Sequence, residues 1–101
     1  MRHVFLVVAA IAVSGAALSA QAAGDAEAGK AKAKACAGCH GANGQGSGSN
    51  PKLAGKPEAE IVQALKDYKS GKRANPVMKT FATPLSDPDM DNLAAYYSAQ
   101  K

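Results

Sequence analysis

The sequence predicts an all-α domain of three main helices joined by long loops. Three observations carry this reading. Apolar residues recur at helical spacing in two places, at Ile61, Leu65 and Tyr68 and again at Met90, Leu93, Ala94 and Tyr97. The segment "DAEAGKAKAKACA", from Asp25 to Ala37, is rich in Ala, Lys and Glu, which favour helix. No stretch alternates apolar and polar residues with the period of two that marks a half-buried strand.

Ahead of the first helix, Met1-Arg2-His3 forms a short basic start to the apolar run "VFLVVAAIAVSGAALSA". Ala20-Gln21-Ala22 then gives the small-x-small pattern of a signal-peptidase site, so residues 1–22 are expected to be a cleaved secretory signal peptide. A permanent membrane anchor is the alternative. It suits the run less well, because Ser14 and Gly15 interrupt a core already short for ~30 Å of hydrocarbon. No cysteine stands at the cleavage point to take a lipid. The expected product is one domain, residues 23–101, located in the periplasm and without stable membrane insertion.

Within that domain, a helical wheel puts Gly29, Ala33 and Cys36 of the first helix on one face and turns Lys30 and Lys34 away. Small residues along a stripe permit another helix to approach closely. Gly41 to Asn50, "GANGQGSGSN", reads as a glycine-rich loop without an apolar anchor, and Pro51 to Gly55 as an extended piece burying Leu53. Pro57 opens the second helix, where its missing N–H costs nothing, and Gly71 ends it. Lys72 to Pro84 reads as a loop carrying Met78 and Phe81. Ser86 with Asp89 three residues on is a capping box that starts the third helix. So few residues in short helices and long loops do not build a sufficient core, and a domain of this size usually needs a staple. A large apolar group held between helices and loops would supply it.

The sequence "CAGCH", Cys36 to His40, holds both cysteines of the chain. A redox disulfide of thioredoxin type would sit after a strand at a helix N-terminus, whereas this pair follows a helix in a chain without strands. A structural zinc site needs four ligands, and apart from Cys36, Cys39 and His40 the processed chain has no other cysteine or histidine. Haem c accounts for every part of the pattern. The thiols of Cys36 and Cys39 add across the porphyrin vinyl groups as thioethers, and His40 reaches the iron as an axial ligand.

Two methionines of the processed chain, Met78 and Met90, compete for the sixth iron position. Met90 falls on the apolar stripe of the third helix and reads as core filler. Met78 lies in what reads as an irregular loop, and is preferred for that reason. Pairing a thioether with histidine favours ferrous iron and raises the reduction potential. It also fills both axial positions, which suits electron transfer and leaves no vacancy for oxygen chemistry.

Beyond "CAGCH", the "NPKLAG" of Asn50 to Gly55, the "YKSGKR" of Tyr68 to Arg73, Met78, and the "LSDPDMDNLAAYYS" of Leu85 to Ser98 run in order along the chain. Together they resemble the small single-haem bacterial class I cytochromes c. The resemblance implies three helices with long loops wrapped around one covalent haem c and its iron. It also implies that the Pro51 carbonyl accepts a hydrogen bond from the second ring nitrogen of His40, fixing the ring and making it a better donor. A plain turn at Asn50-Pro51 is the alternative. The first and last helices are expected to cross with Gly29 and Ala33 against Tyr96 or Tyr97. Lys72 and Arg73 are either partners of the haem propionates or solvated loop charges.

The expected function is a one-electron carrier, not an enzyme, shuttling between electron-donor and electron-acceptor redox proteins. The formal net charge is +4, with Lys30, Lys34, Lys52, Lys56, Lys72 and Lys79 spread along the chain. Lysines ringing a haem edge would steer partners with acidic docking surfaces; scattered solubilising lysines are the alternative. No basic run is interleaved with aromatics, so nucleic acid is not an expected partner. Two rival readings are a haem c subunit of a larger redox enzyme and a haem-based ligand sensor or peroxidase with an open iron position.

Overall fold

The computed structural model describes residues 24–101; the expected signal peptide, residues 1–22, lies outside them. Among the described residues the chain forms helices α1 (Ala26–Lys32), α2 (Ala37–His40), α3 (Glu58–Ser70), α4 (Pro76–Ala82) and α5 (Asp87–Ser98). The remaining β character is an isolated bridge between Ser47 and Asn50.

The first predicted helix is present but broken. Asp25 caps it, its side chain accepting from the Glu27 and Ala28 amides, and after Lys32 the chain tightens into a 3-10 turn over Ala33–Ala35. The turn passes through Cys36 into α2, which ends at Gly41 in an extended conformation with positive φ.

α1 and α5 share the most extensive helix contact. Gly29 is buried there, and a β-carbon on it would overlap the Asn92 backbone carbonyl and press on Tyr96. Ala33, one turn on, belongs to the same core as Tyr96, Tyr97, Leu93 and Ala94. The stripe of small residues therefore serves close helix approach, as its pattern indicates. Asp25 adds a polar fastening, its amide donating to Asn92 Oδ1 at 2.7 Å.

α3 packs on α5 through Ile61, with Val62 and Leu65 half-buried beside it. Pro57 precedes it, and Gly71 terminates it in the left-handed conformation at φ +83°. The Ser86–Asp89 capping box of α5 is complete in both directions, with Ser86 N to Asp89 Oδ2 at 3.0 Å and Asp89 N to Ser86 Oγ at 3.2 Å. Met90, Leu93, Ala94 and Tyr97 are all buried, the centre of a small core.

Two expectations are corrected. The segment Lys72–Pro84 is not a continuous loop, because Pro76–Ala82 is helical. Asn75 accepts from the Val77 and Met78 amides, and Pro76 follows in the first helical turn. A two-turn helix is too short to display apolar periodicity, and its signal was this Asn-Pro start. In the Pro51–Gly55 piece, Ala54 is the buried residue while Leu53 is only half-covered.

Replacing Gly29 by alanine is expected to force α1 off α5 and cost about 1–3 kcal/mol, the usual range for overpacking against something that cannot yield; a lowered urea midpoint checks it. The Asp89 carboxyl is held below its ordinary range, first by the Ser86 amide, then by the Ser86 side chain and more weakly by Lys32, 3.5 Å away. A depressed carboxyl stabilises the fold above its ordinary pKa of 3.8 and loses that contribution as pH falls through the lower folded value. The stability gap between the protein and Asp89→Asn should therefore be wider at pH 7 than at pH 3 in urea titrations.

Candidate functional site

Beside the core lies a cleft of about 540 Å³. α1 and the 3-10 turn contribute Ala31, Lys32, Lys34, Ala35 and Cys36 to its walls, while Leu65, Met78, Phe81, Leu85 and Leu93 come from α3, α4, α5 and the turn between the last two. Its volume is that of pockets which enclose small molecules and cofactors. Its lining includes a large apolar side chain left open to solvent, Phe81, 42% exposed. Large apolar side chains left bare at a cleft mark a surface that something else covers. A second groove of about 510 Å³, bordered by Glu58, Ala59, Val62, Gln63, Asp91 and Ala94, contains no thiol, thioether or imidazole.

The predicted site residues take distinct places. Cys36 is half-buried and lines the cleft; Cys39 is exposed. Both are free thiols, and burial pushes the Cys36 thiol above its ordinary range, the nearby Tyr97 hydroxyl acting in the opposite sense. His40 is only 5% exposed and is the buried polar side chain of the core. Its Nδ1 lies 2.9 Å from the Pro51 carbonyl oxygen. A carbonyl only accepts, so Nδ1 carries the proton and the lone pair of the neutral ring sits on Nε2, the nitrogen free to bind a metal. His40, Cys39 and Pro51 are not among the residues lining the cleft itself; α2 connects them to Cys36 at its wall.

The two methionines are separated by burial. Met90 is 1% exposed within the core, away from the cleft. Met78 is half-buried and faces the cleft from α4. Both sit on helices, so the contrast of loop against helix does not distinguish them; position against the cleft does.

Lys72 and Arg73 are exposed, and the Arg73 guanidinium stacks 4.9 Å from the centroid of the Tyr68 ring. Among the described residues, Tyr97 Oη is the one buried side-chain polar atom without a hydrogen-bond partner, and it lies beside Cys36. Burial, then the neighbouring Cys36, holds this phenol well above its ordinary pKa.

These residues fit haem c in kind. A mainly apolar cleft accepts a porphyrin face, a thiol at its wall accepts a thioether link, and a soft sulfur faces in. The tautomer of His40 is already the one a metal needs. No three side chains of His, Cys, Asp and Glu gather into a metal-holding group among the described residues.

Sequence reasoning missed what holds the glycine-rich loop. Its backbone is tied by Gly46 N to His40 O at 2.7 Å, by Ser47 Oγ to Cys39 O at 2.8 Å, and by the Leu53 and Ala54 amides to Gly44 O at 2.7 and 2.9 Å. The signal available was the tyrosine pair in α5, whose hydroxyl and ring reach this loop.

Comparison with known proteins agrees with this description. Residues 26–100 match the family model for cytochrome c. The chain is 48% identical over 83 residues to cytochrome c4 of Pseudomonas aeruginosa, covering 81% of this chain and 41% of the relative. It is 40% identical to cytochrome c-554(548) of Halomonas halodenitrificans, covering 78% of this chain and all of that protein. The structure of Acidithiobacillus ferrooxidans cytochrome c4, described as supporting a complex-induced tuning of electron transfer, superposes with a TM-score of 0.74 at 35% identity. That match covers 76% of this chain and 50% of the other. The chain thus spans about two fifths of the P. aeruginosa relative's length and the whole of the shorter one.

Replacing Asn75 by alanine removes the cap of the helix that carries Met78. It is expected to cost about 1 kcal/mol, readable in urea unfolding of the protein.

Proposed function

The chain belongs to the cytochrome c family, and from that premise we propose that residues 23–101 form a single-haem periplasmic electron carrier. The observation that carries the reading is the bond between His40 Nδ1 and the Pro51 carbonyl, which sets a metal-binding tautomer next to the cysteine pair. Cys36 and Cys39 would hold the cofactor covalently, and His40 and Met78 would be the protein ligands of its iron. One "CAGCH" segment supplies one haem.

When bound, haem c supplies a one-electron ferric–ferrous couple. The residues of this chain do the rest. Leu65, Phe81, Leu85 and Leu93 give the cleft an apolar lining, which would lower the dielectric around the couple. The Met78 thioether favours the ferrous state and occupies the position a gas or peroxide would need. Pro51 keeps the His40 ring fixed, so Nε2 would be presented to the iron in one orientation.

Lys32 and Lys34 stand at the cleft wall, which the exposed Phe81 also lines. An apolar patch with lysines beside it suits transient docking of redox proteins with acidic surfaces, in which charge sets the encounter rate. The A. ferrooxidans relative, tied by its description to electron transfer tuned within a complex, supports a partner-dependent carrier. Export to the periplasm rests on the N-terminal segment; among the described residues no helix is long and apolar enough to cross a membrane.

The exported protein should weigh more than its polypeptide by one haem after denaturation, and should cycle reversibly between oxidised and reduced forms. A bare mass would refute the proposal. Met78→Ala should lower the reduction potential and let the reduced protein bind carbon monoxide at neutral pH. Met90→Ala should instead cost about 2–5 kcal/mol of stability with the oxidised and reduced absorption spectra unchanged. The reverse pattern would move the axial ligand to Met90.

A further inference from the structure

The loop from Gly41 to Gly55 carries Pro51, yet it has almost no apolar packing of its own: before Leu53, Gly44 is its one fully buried residue. What locates it is a pair of adjacent tyrosines on α5. Tyr96 Oη donates to the Ala42 carbonyl at 3.1 Å. The Tyr97 ring lies over Gly44, where a β-carbon would stand 2.5 Å from Cδ1. The Tyr97 carbonyl accepts from the Gly55 amide at 3.0 Å. Gly44 in turn accepts from Leu53 and Ala54, closing the loop on itself. Pro51, with its carbonyl on His40 Nδ1, lies between these fastenings.

We infer that Tyr96 and Tyr97 are positioning residues for the His40 imidazole, acting through Ala42, Gly44 and Gly55 to hold the Pro51 carbonyl against Nδ1. The inference rests on His40 being an axial ligand, as proposed above. A carbonyl that accepts from Nδ1 makes Nε2 a stronger donor, and a stronger donor favours ferric iron. Loosening the clamp weakens the donor and shifts the couple toward ferrous iron, so the reduction potential rises. The clamp uses the ring and backbone carbonyl of Tyr97, not its hydroxyl, which lies beside Cys36 and touches no residue of the loop. Phenylalanine at this position therefore preserves it.

The test compares the haem-loaded protein with Tyr97→Leu, Tyr97→Phe, Tyr96→Phe and Ile61→Val. The last is a core change in α3, outside the fastenings described here. Two quantities are read: the reduction potential, and the rate of amide hydrogen exchange at Leu53 and Ala54 relative to the amides of α3. The clamp predicts that Tyr97→Leu raises the potential and accelerates loop exchange, that Tyr96→Phe does both to a smaller extent, that Tyr97→Phe leaves loop exchange at its wild-type value, and that Ile61→Val leaves both unchanged. Should Tyr97→Leu fail to fold, Tyr96→Phe carries the decision. Wild-type potential and loop exchange in Tyr96→Phe and Tyr97→Leu, with haem retained, would overturn the inference. A wild-type chain that carries no haem would sink the electron-carrier reading instead, and loop exchange would still decide the clamp.

Discussion

The crossing of α1 and α5 at Gly29 is the constraint on which the architecture depends. Because Gly29 has no β-carbon, the α1 backbone comes down onto the Asn92 carbonyl, and Ala33 follows it into the core. That approach fixes where the chain leaves α1 and therefore where the 3-10 turn delivers Cys36. It also fixes α5, which supplies Met90, Leu93 and Tyr97 to the core and Leu93 to the cleft. Without the crossing the cleft would have no back wall. The apolar contact provides the energy, and the missing methyl provides the geometry.

The elements legible in sequence were those with a repeated or local chemical signal. The stripe of α5 and its capping box, the left-handed stop at Gly71, and the small-residue face of α1 all appear where the pattern puts them. The thiol pair and adjacent histidine were legible because their spacing has a chemical meaning independent of fold. α4 was not read, since two turns give no period to detect. The Asn75-Pro76 start was there to be seen, but a proline in a polar stretch reads more readily as loop. The preference for Met78 over Met90 thus rested on a loop where the chain is helical. That Met78 faces the cleft is a property of α4 packing on α3, which no linear pattern displays.

The two sulfur ethers illustrate how one residue type takes opposite assignments in a small domain. Met90 fills space among helices, where its flexible chain adapts to neighbours. Met78 is only partly covered, at the edge of an apolar cleft. A side chain in the second situation gains by meeting another apolar body, whereas one in the first has already done so. Burial, not helix against loop, separates filler from candidate ligand.

The glycine-rich stretch after His40 has the composition of a flexible tether, and composition misleads there. Gly44 and Gly46 adopt left-handed backbone angles against neighbours that leave no room for a methyl, Tyr97 in one case and the Asn50–Lys52 backbone in the other. Evolution could lengthen or recolour an ordinary tether at little expense to the fold. This one is closer to a cast part: its apparent simplicity records how many other residues it would be in the way of, and random mutagenesis should find some of its plainest letters among the hardest to replace.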